Sequence, residues 1–322
     1  MLVMKNLRLS TFLFFISLSG IVVICVNFAM DIFFPSLEYA GTITIEGYVT
    51  SQQAIYYLDW QSENFTQLTD DEVYSKHPVW SLDGEYLAFI YLTDLSSTRD
   101  EGIGIVDKSG SKINYYLLNT RDRGEVIRHI AWSSDGRQIL YNTRYFDGNS
   151  WSENKFYLLN LDNGGFQEAN LPLEKFSDKH PVNFDWSSKD ILALEIDNEL
   201  YTVNLNTMQL TFLAEGKNPF WTPDGKWLTF LCKQNEWRFC KISPEGENLE
   251  VIPQQQKAFF WFDGAFTWSP DEQFILFTEM RGEGDPVHIS VLDTKTGLIH
   301  RIYESHWSDL IRVSRAVWSP ID

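Results

Sequence analysis

The chain has 322 residues, of which 44% are hydrophobic, 15% aromatic and 22% charged, the composition of a well-packed globular protein and not of a disordered one. Lys and Arg number 26 against 44 Asp and Glu, a formal net charge of -18, so the surface repels phosphate backbones and nucleic acid is excluded as a partner. Three cysteines are too few for a disulfide framework.

Lys5 and Arg8 open the chain, Leu9 to Met30 contains no charged residue, and Asp31 and Glu38 follow. About 20 apolar residues rising ~1.5 Å each would cross a hydrocarbon core of ~30 Å. The pattern predicts a cytoplasmic N-terminus over 1–8, a transmembrane signal-anchor helix over 9–30 and a linker over 31–41. The remainder is expected to be extracytoplasmic, either periplasmic or extracellular. The competing reading is a cleaved signal peptide, for which Asn27-Phe28-Ala29 is a poor small-x-small site.

From residue 42 a short phrase recurs: HPVWSLDGEYLAFIY from His77, HIAWSSDGRQILYNT from His129, FDWSSKDILALEI from Phe184, NPFWTPDGKWLTFLC from Asn218 and AFTWSPDEQFILFTE from Ala265. A truncated copy, AVWSP, begins at Ala316. Each phrase predicts a strand ending at Trp80, Trp132, Trp186, Trp221, Trp268 or Trp318, a Ser-x-Asp-Gly turn, and a second apolar strand. Asp83, Asp135, Asp224 and Asp271 are expected to accept local backbone N–H bonds, and Gly to supply positive φ, so the aspartates are turn formers before anything else. A second phrase, such as KFYLLNLDNGGFQEANL, follows each first one and predicts a third strand, a polar turn and a fourth. Four antiparallel strands in series match a propeller blade.

Residues 54–70 form a second phrase with no usual first phrase before it, and the last copy has a first strand and nothing after it. Residues 312–318 are therefore expected to supply the inner strand of a sixth blade whose outer strands come from about 42–70, removing free edges. The predicted fold is an all-β, six-bladed β-propeller ring over 42–322, closed by strands from its two ends, monomeric, and preceded by the single N-terminal transmembrane helix. Cys232 and Cys240 flank a short turn and could face one another across a hairpin, or remain free thiols.

W-S-x-D-G, an apolar strand and then an I-Y-x-x-D-like strand resemble the repeat of TolB-type β-propellers, over about residues 42–322. Lys189-Asp190 in the third copy and Glu272 in the fifth depart from Asp-Gly and put those two turns in question. The resemblance implies a fold shared by periplasmic binding proteins, propellers that gate prolyl-oligopeptidase-type hydrolases, and propeller lyases, so fold does not choose the function. TolB's own preceding α/β domain is not expected here, nor is a G-x-S-x-G nucleophile elbow with a hydrolase domain.

The loops after second strands and between blades are long and ring-rich. Tyr145, Phe146, Trp151, Phe259, Phe260, Trp261, Phe262 and Trp307 mark them as a partner-binding face for a protein or cell-envelope component, although rings can also tuck beneath their own loops. Three residues before the repeat tryptophans stand His77, His129, Asn183, Asn218, Ala265 and Arg315, and the five polar ones are expected to ring the channel mouth. No cofactor, metal or catalytic constellation is called for. The leading expectation is a non-catalytic, membrane-tethered binding propeller. Its rival is a lyase or glycosidase acting on an extracellular polysaccharide at the channel mouth, suggested by His77, His129 and His180.

Overall fold

The structure is a computed structural model that describes residues 15–17, 20–22, 41–49, 52–70, 73–93, 100–118, 120, 124–145, 155–176, 181–258, 260, 265–280, 282, 285–306, 309 and 311–321. It divides into two compact units, Met1–Tyr39 and Ala40–Asp322. In the first, Phe15–Ser17 and Gly20–Val22 pair antiparallel. This does not support the spanning helix expected over 9–30, the rest of which lies outside the described residues. An apolar run rich in Ile, Val and Phe satisfies a hydropathy argument and a strand propensity equally well. Among the described residues no helix is long and apolar enough to cross a membrane.

The second unit is six four-stranded antiparallel meanders. Blade I comprises Tyr74–Trp80, Tyr86–Leu92, Glu101–Asp107 and Ile113–Leu117. Blade II comprises Glu125–Trp132, Gln138–Tyr145, Lys155–Asn160 and Phe166–Glu168. Blade III comprises Pro181–Trp186, Ile191–Ile196, Glu199–Asn204 and Gln209–Glu215. Blade IV comprises Lys217–Trp221, Leu228–Lys233, Trp237–Ile242 and Glu250–Val251. Blade V comprises Phe266–Trp268, Phe274–Glu279, His288–Asp293 and Ile299–Tyr303. Blade VI takes its inner strand, Ile311–Trp318, from the C-terminal end and the other three, Ile43–Val49, Gln52–Asp59 and Asn64–Gln67, from the beginning of the unit. Inner strands of consecutive blades touch, and blade VI touches blade I, so the ring is closed as the unpaired phrases at its ends predict.

The tryptophan column is the seam between blades. Indole Nε1 of Trp80 donates to Thr44 Oγ1 of blade VI at 3.2 Å, that of Trp132 to the Val79 carbonyl of blade I at 2.9 Å, that of Trp221 to the Asp185 carbonyl of blade III at 3.1 Å, and that of Trp268 to Thr229 Oγ1 of blade IV at 3.1 Å. A large apolar ring with one donor suits a packed interface that contains one acceptor. Trp186 instead donates to Asp190 Oδ1 in its own turn, and the same oxygen accepts Ser134 Oγ from blade II. Trp318 reaches blade V through its backbone N–H, which donates to Thr267 Oγ1 at 2.9 Å.

The turns behave as their composition requires. Asp83, Asp135, Asp224 and Asp271 each accept the hydroxyl of the preceding Ser or Thr and the backbone N–H two residues on. The two departures keep the geometry, because Asp190 (φ 57°) and Glu272 (φ 56°) occupy the left-handed position that glycine fills at Gly84, Gly136 and Gly225. Each is compensated across a seam: Asp190 as above, and Glu272 Oε1 by accepting the Asp224 N–H at 2.9 Å.

Cys232 and Cys240 form a disulfide across the central hairpin of blade IV, with Cα atoms 5.8 Å apart. Closing so short a loop removes about 2.5 kcal/mol of unfolded-state entropy by the chain model. The double variant Cys232→Ala/Cys240→Ala is therefore expected to lower the urea midpoint, and dithiothreitol to do so in wild type but not in the variant.

Candidate binding site in the central channel

The inner strands bound a cavity of about 180 Å³. At one end lie His129, Asn183, Asn218, Ala265 and Arg315, and at the other Leu82, Ser188, Pro223 and Pro320. Four of the five polar residues expected at the mouth thus share one cavity. His77 does not line it, and its contribution is made by its main chain.

That contribution recurs. The inner strands of blades I, II, III, IV and VI each carry a register shift just ahead of the repeat tryptophan, and a bulge leaves a main-chain donor without a ladder partner. Buried glutamates accept those donors: Glu46 Oε2 takes the His77 N–H at 2.6 Å, Glu101 Oε2 takes that of Ile127, and Glu195 Oε2 takes that of Asn218 at 2.8 Å. His77 (φ 55°) and Asn218 (φ 50°) adopt left-handed backbone there. Glu195 also accepts Asn183 Nδ2 at 2.9 Å, and the same amide nitrogen meets Asn218 Oδ1 at 2.9 Å. Replacing Glu195 by Ala removes the acceptor for a buried N–H and an amide together, at an expected cost of about 3 kcal/mol; urea midpoints measure it.

The electrostatics of the mouth are set by burial and by Arg315. Desolvation first, and the Arg315 guanidinium second, push the His129 imidazole down to about 3. The same two causes, followed by Lys76, hold His77 well below the ordinary imidazole range. Both rings are neutral at physiological pH and Arg315, itself 8% exposed, carries the charge. His129 rests edge-on against Phe184 with centroids 4.8 Å apart, and a hydrogen bond to the Phe184 carbonyl offsets part of its shift.

One cavity residue escaped the sequence reading. Asp185 precedes Trp186, in a row where the other repeats have Val79, Ala131, Phe220, Thr267 and Val317; aligning that column would have exposed it as the only acid there. Its Oδ1 accepts the Trp186 N–H at 3.0 Å and its Oδ2 the Trp221 N–H at 2.8 Å. Burial nevertheless pushes its carboxyl up to about 7, the two N–H bonds opposing the rise. It is half-buried and lines the cavity.

On the loop face, Tyr145 is 43% exposed and lies over Gly124. Phe260, expected to face a partner, is instead core at 8% exposure, stacked edge-on to Phe239 with centroids 5.0 Å apart and packed near Phe266 and Phe277. It is buried because three neighbouring rings offer it more apolar contact than water does. Phe146, Trp151, Phe259, Trp261, Phe262 and Trp307, and also His180, lie outside the described residues. Among the described residues no group of three His, Cys, Asp or Glu could hold a metal ion.

No family model matches the chain. It is 27% identical over 147 residues to dipeptidyl-peptidase 5 of Porphyromonas gingivalis, covering 40% of this chain and 21% of that protein. Among solved structures it resembles TolB from Acinetobacter baumannii with a TM-score of 0.63 at 13% identity, over 87% of this chain and 66% of that one. It also resembles an oligogalacturonate lyase in complex with manganese (0.55, 15%, 82% and 76%) and a Mycobacterium tuberculosis puromycin-hydrolyzing peptidase (0.54, 13%, 83% and 46%). The chain spans about a fifth of the curated relative and 66% of the TolB structure. At such identities the likeness shows the fold, that of a TolB-like six-bladed β-propeller.

Proposed function

We propose that this TolB-like propeller is a non-catalytic binding module, held at a membrane by the uncharged run of residues 9–30 and displayed outside the cytoplasm, which binds a protein or envelope component through its long-loop face. The observation that carries the reading is the closed ring itself. Its seams and short turns are spent on structural bonds, so the variable, ring-bearing loops, with Tyr145 exposed among them, are left for recognition. The Cys232–Cys240 bond supports an oxidising compartment. The test is capture of envelope components on the full chain, compared with the triple variant Tyr145→Ala/Trp151→Ala/Trp261→Ala. A partner held by wild type and lost by the variant is expected; the same partner held equally by both overturns the reading.

The second reading, a lyase or glycosidase acting on an extracellular polysaccharide at the channel mouth, is favoured by one observation. A neutral imidazole, His129, shares the cavity with the Arg315 guanidinium, an uncharged donor and acceptor beside a site for a sugar carboxylate. Release of unsaturated or reducing ends from a polyuronate, abolished by His129→Ala, would establish it; turnover unchanged by that substitution would remove it.

A further inference from the structure

Asp185 and Arg315 stand on blades III and VI, which the cyclic order of inner-strand contacts places on opposite sides of the ring. Both line the same cavity. Asp185 is one residue before its repeat tryptophan and Arg315 three before its own, so the two are staggered along the channel by two residues, about 6.6 Å at ~3.3 Å per residue.

A carboxylate has room for about four donors, and among the described residues Asp185 receives two, both backbone N–H groups. Its surroundings in the channel are aromatic: Trp186, Phe220, Trp221 and Phe266 line the same space. An acid in such a collar is poor packing, and the row it belongs to otherwise carries Val, Ala, Phe or Thr. Rings around an acid are a good environment for an ammonium, which gains from the carboxylate and from the π-faces together. At the mouth, Arg315 with the neutral His129 imidazole and the Asn183–Asn218 amide pair suits a carboxylate.

We infer that the channel binds a small zwitterion, an ω-amino-acid-like molecule whose ammonium reaches Asp185 and whose carboxylate stays with Arg315. The cavity of about 180 Å³ has room for a small linear molecule, since a cavity of ~150 Å³ already admits a benzene ring. The ligand lies inside the ring, so this site is independent of the long-loop face proposed above.

The test is calorimetric titration of the full chain at pH 8 with 6-aminohexanoate, hexanoate and hexylamine, with tryptophan fluorescence as a second readout, because Trp186, Trp221 and Trp268 line the cavity. 6-Aminohexanoate is expected to bind at least about tenfold more tightly than either single-charge probe, a coupling of ~1.4 kcal/mol. Asp185→Asn should bring its affinity down to that of hexanoate, and Arg315→Gln down to that of hexylamine. Arg315→Lys, which keeps the charge, serves if the glutamine variant fails to melt cooperatively; it should retain the preference for the zwitterion. Absence of saturation by all three probes, equal binding of 6-aminohexanoate and hexanoate, or an affinity unmoved by Asp185→Asn in a cooperatively folded variant would each overturn the proposal.

Discussion

A chain ending before Ile311 is expected to lose cooperative unfolding altogether. The missing strand pairs from Ile311 against Val49 to Trp318 against Ile43, and it buries Val313, Ala316, Val317 and Trp318 to 4% exposure or less. Val313, Val317 and Trp318 at ~1.5–3 kcal/mol apiece together amount to about 5–9 kcal/mol, against a total stability that is typically ~5–15 kcal/mol. The loss also spreads sideways. Ser314 Oγ leaves Glu46 Oε1, the carboxylate that caps the His77 bulge, and Trp318 N–H leaves Thr267, so the seams to blades I and V open together. Tryptophan fluorescence in urea should show a broad drift in place of a transition, and protease should cut the inner strands. A peptide spanning residues 309–322 added in trans should restore part of the transition. The milder Trp318→Ala should cost about 3–5 kcal/mol. A truncated chain melting at the wild-type midpoint would mean that blade VI is not what holds the ring.

Much of this architecture is legible because it is written locally and repeatedly. A Trp followed by Ser-x-Asp-Gly and an apolar strand states a strand, a turn and a strand within a dozen residues, and the mismatch between the two ends of the repeat array states the closure. Even the two irregular turns obey the rule that matters, positive φ at Asp190 and Glu272, since the backbone conformation and not the glycine is what the turn requires. Contacts that run sideways leave no such trace. Nothing in the spacing of Glu46, Glu101 and Glu195 announces that each caps a bulge in the following blade. Phe260 and Tyr145 look alike in sequence, yet one is core and the other surface, because the difference lies in three rings contributed by other strands. Hydropathy over 9–30 likewise measures cost of transfer and not conformation, and Phe15–Ser17 with Gly20–Val22 pair as strands. Asp185 was hidden for the opposite reason: it sits in a strongly periodic segment, where attention falls on what repeats and not on the column that breaks.

The acid and the imidazole of the channel should leave opposite marks on the pH dependence of stability. His129 titrates near 3 when folded and near ~6.5 when unfolded. Between those values the unfolded chain holds the extra proton, so stability falls as pH drops below about 6.5. Asp185 titrates near 7 when folded and near ~3.9 when unfolded. There the folded chain holds the extra proton, so stability falls as pH rises from about 4 to 7 and is level above that. Over the shared window the two slopes, each at most ~1.4 kcal/mol per pH unit, largely cancel in the wild-type chain. Asp185→Asn removes one slope, so its stability relative to wild type should climb through that window by on the order of 2–3 kcal/mol, discounted from the full linkage value because the carboxyl faces cavity water. An amide accepts only one of the two N–H groups, and that penalty is an offset that does not vary with pH. His129→Gln should tilt the other way, gaining on wild type as pH falls toward 4. Urea midpoints at pH 4.5, 6 and 7.5 for the three chains decide it: parallel curves would mean that neither group is held away from its ordinary protonation, and the polar end of the channel would then be wetter and less selective than its geometry implies.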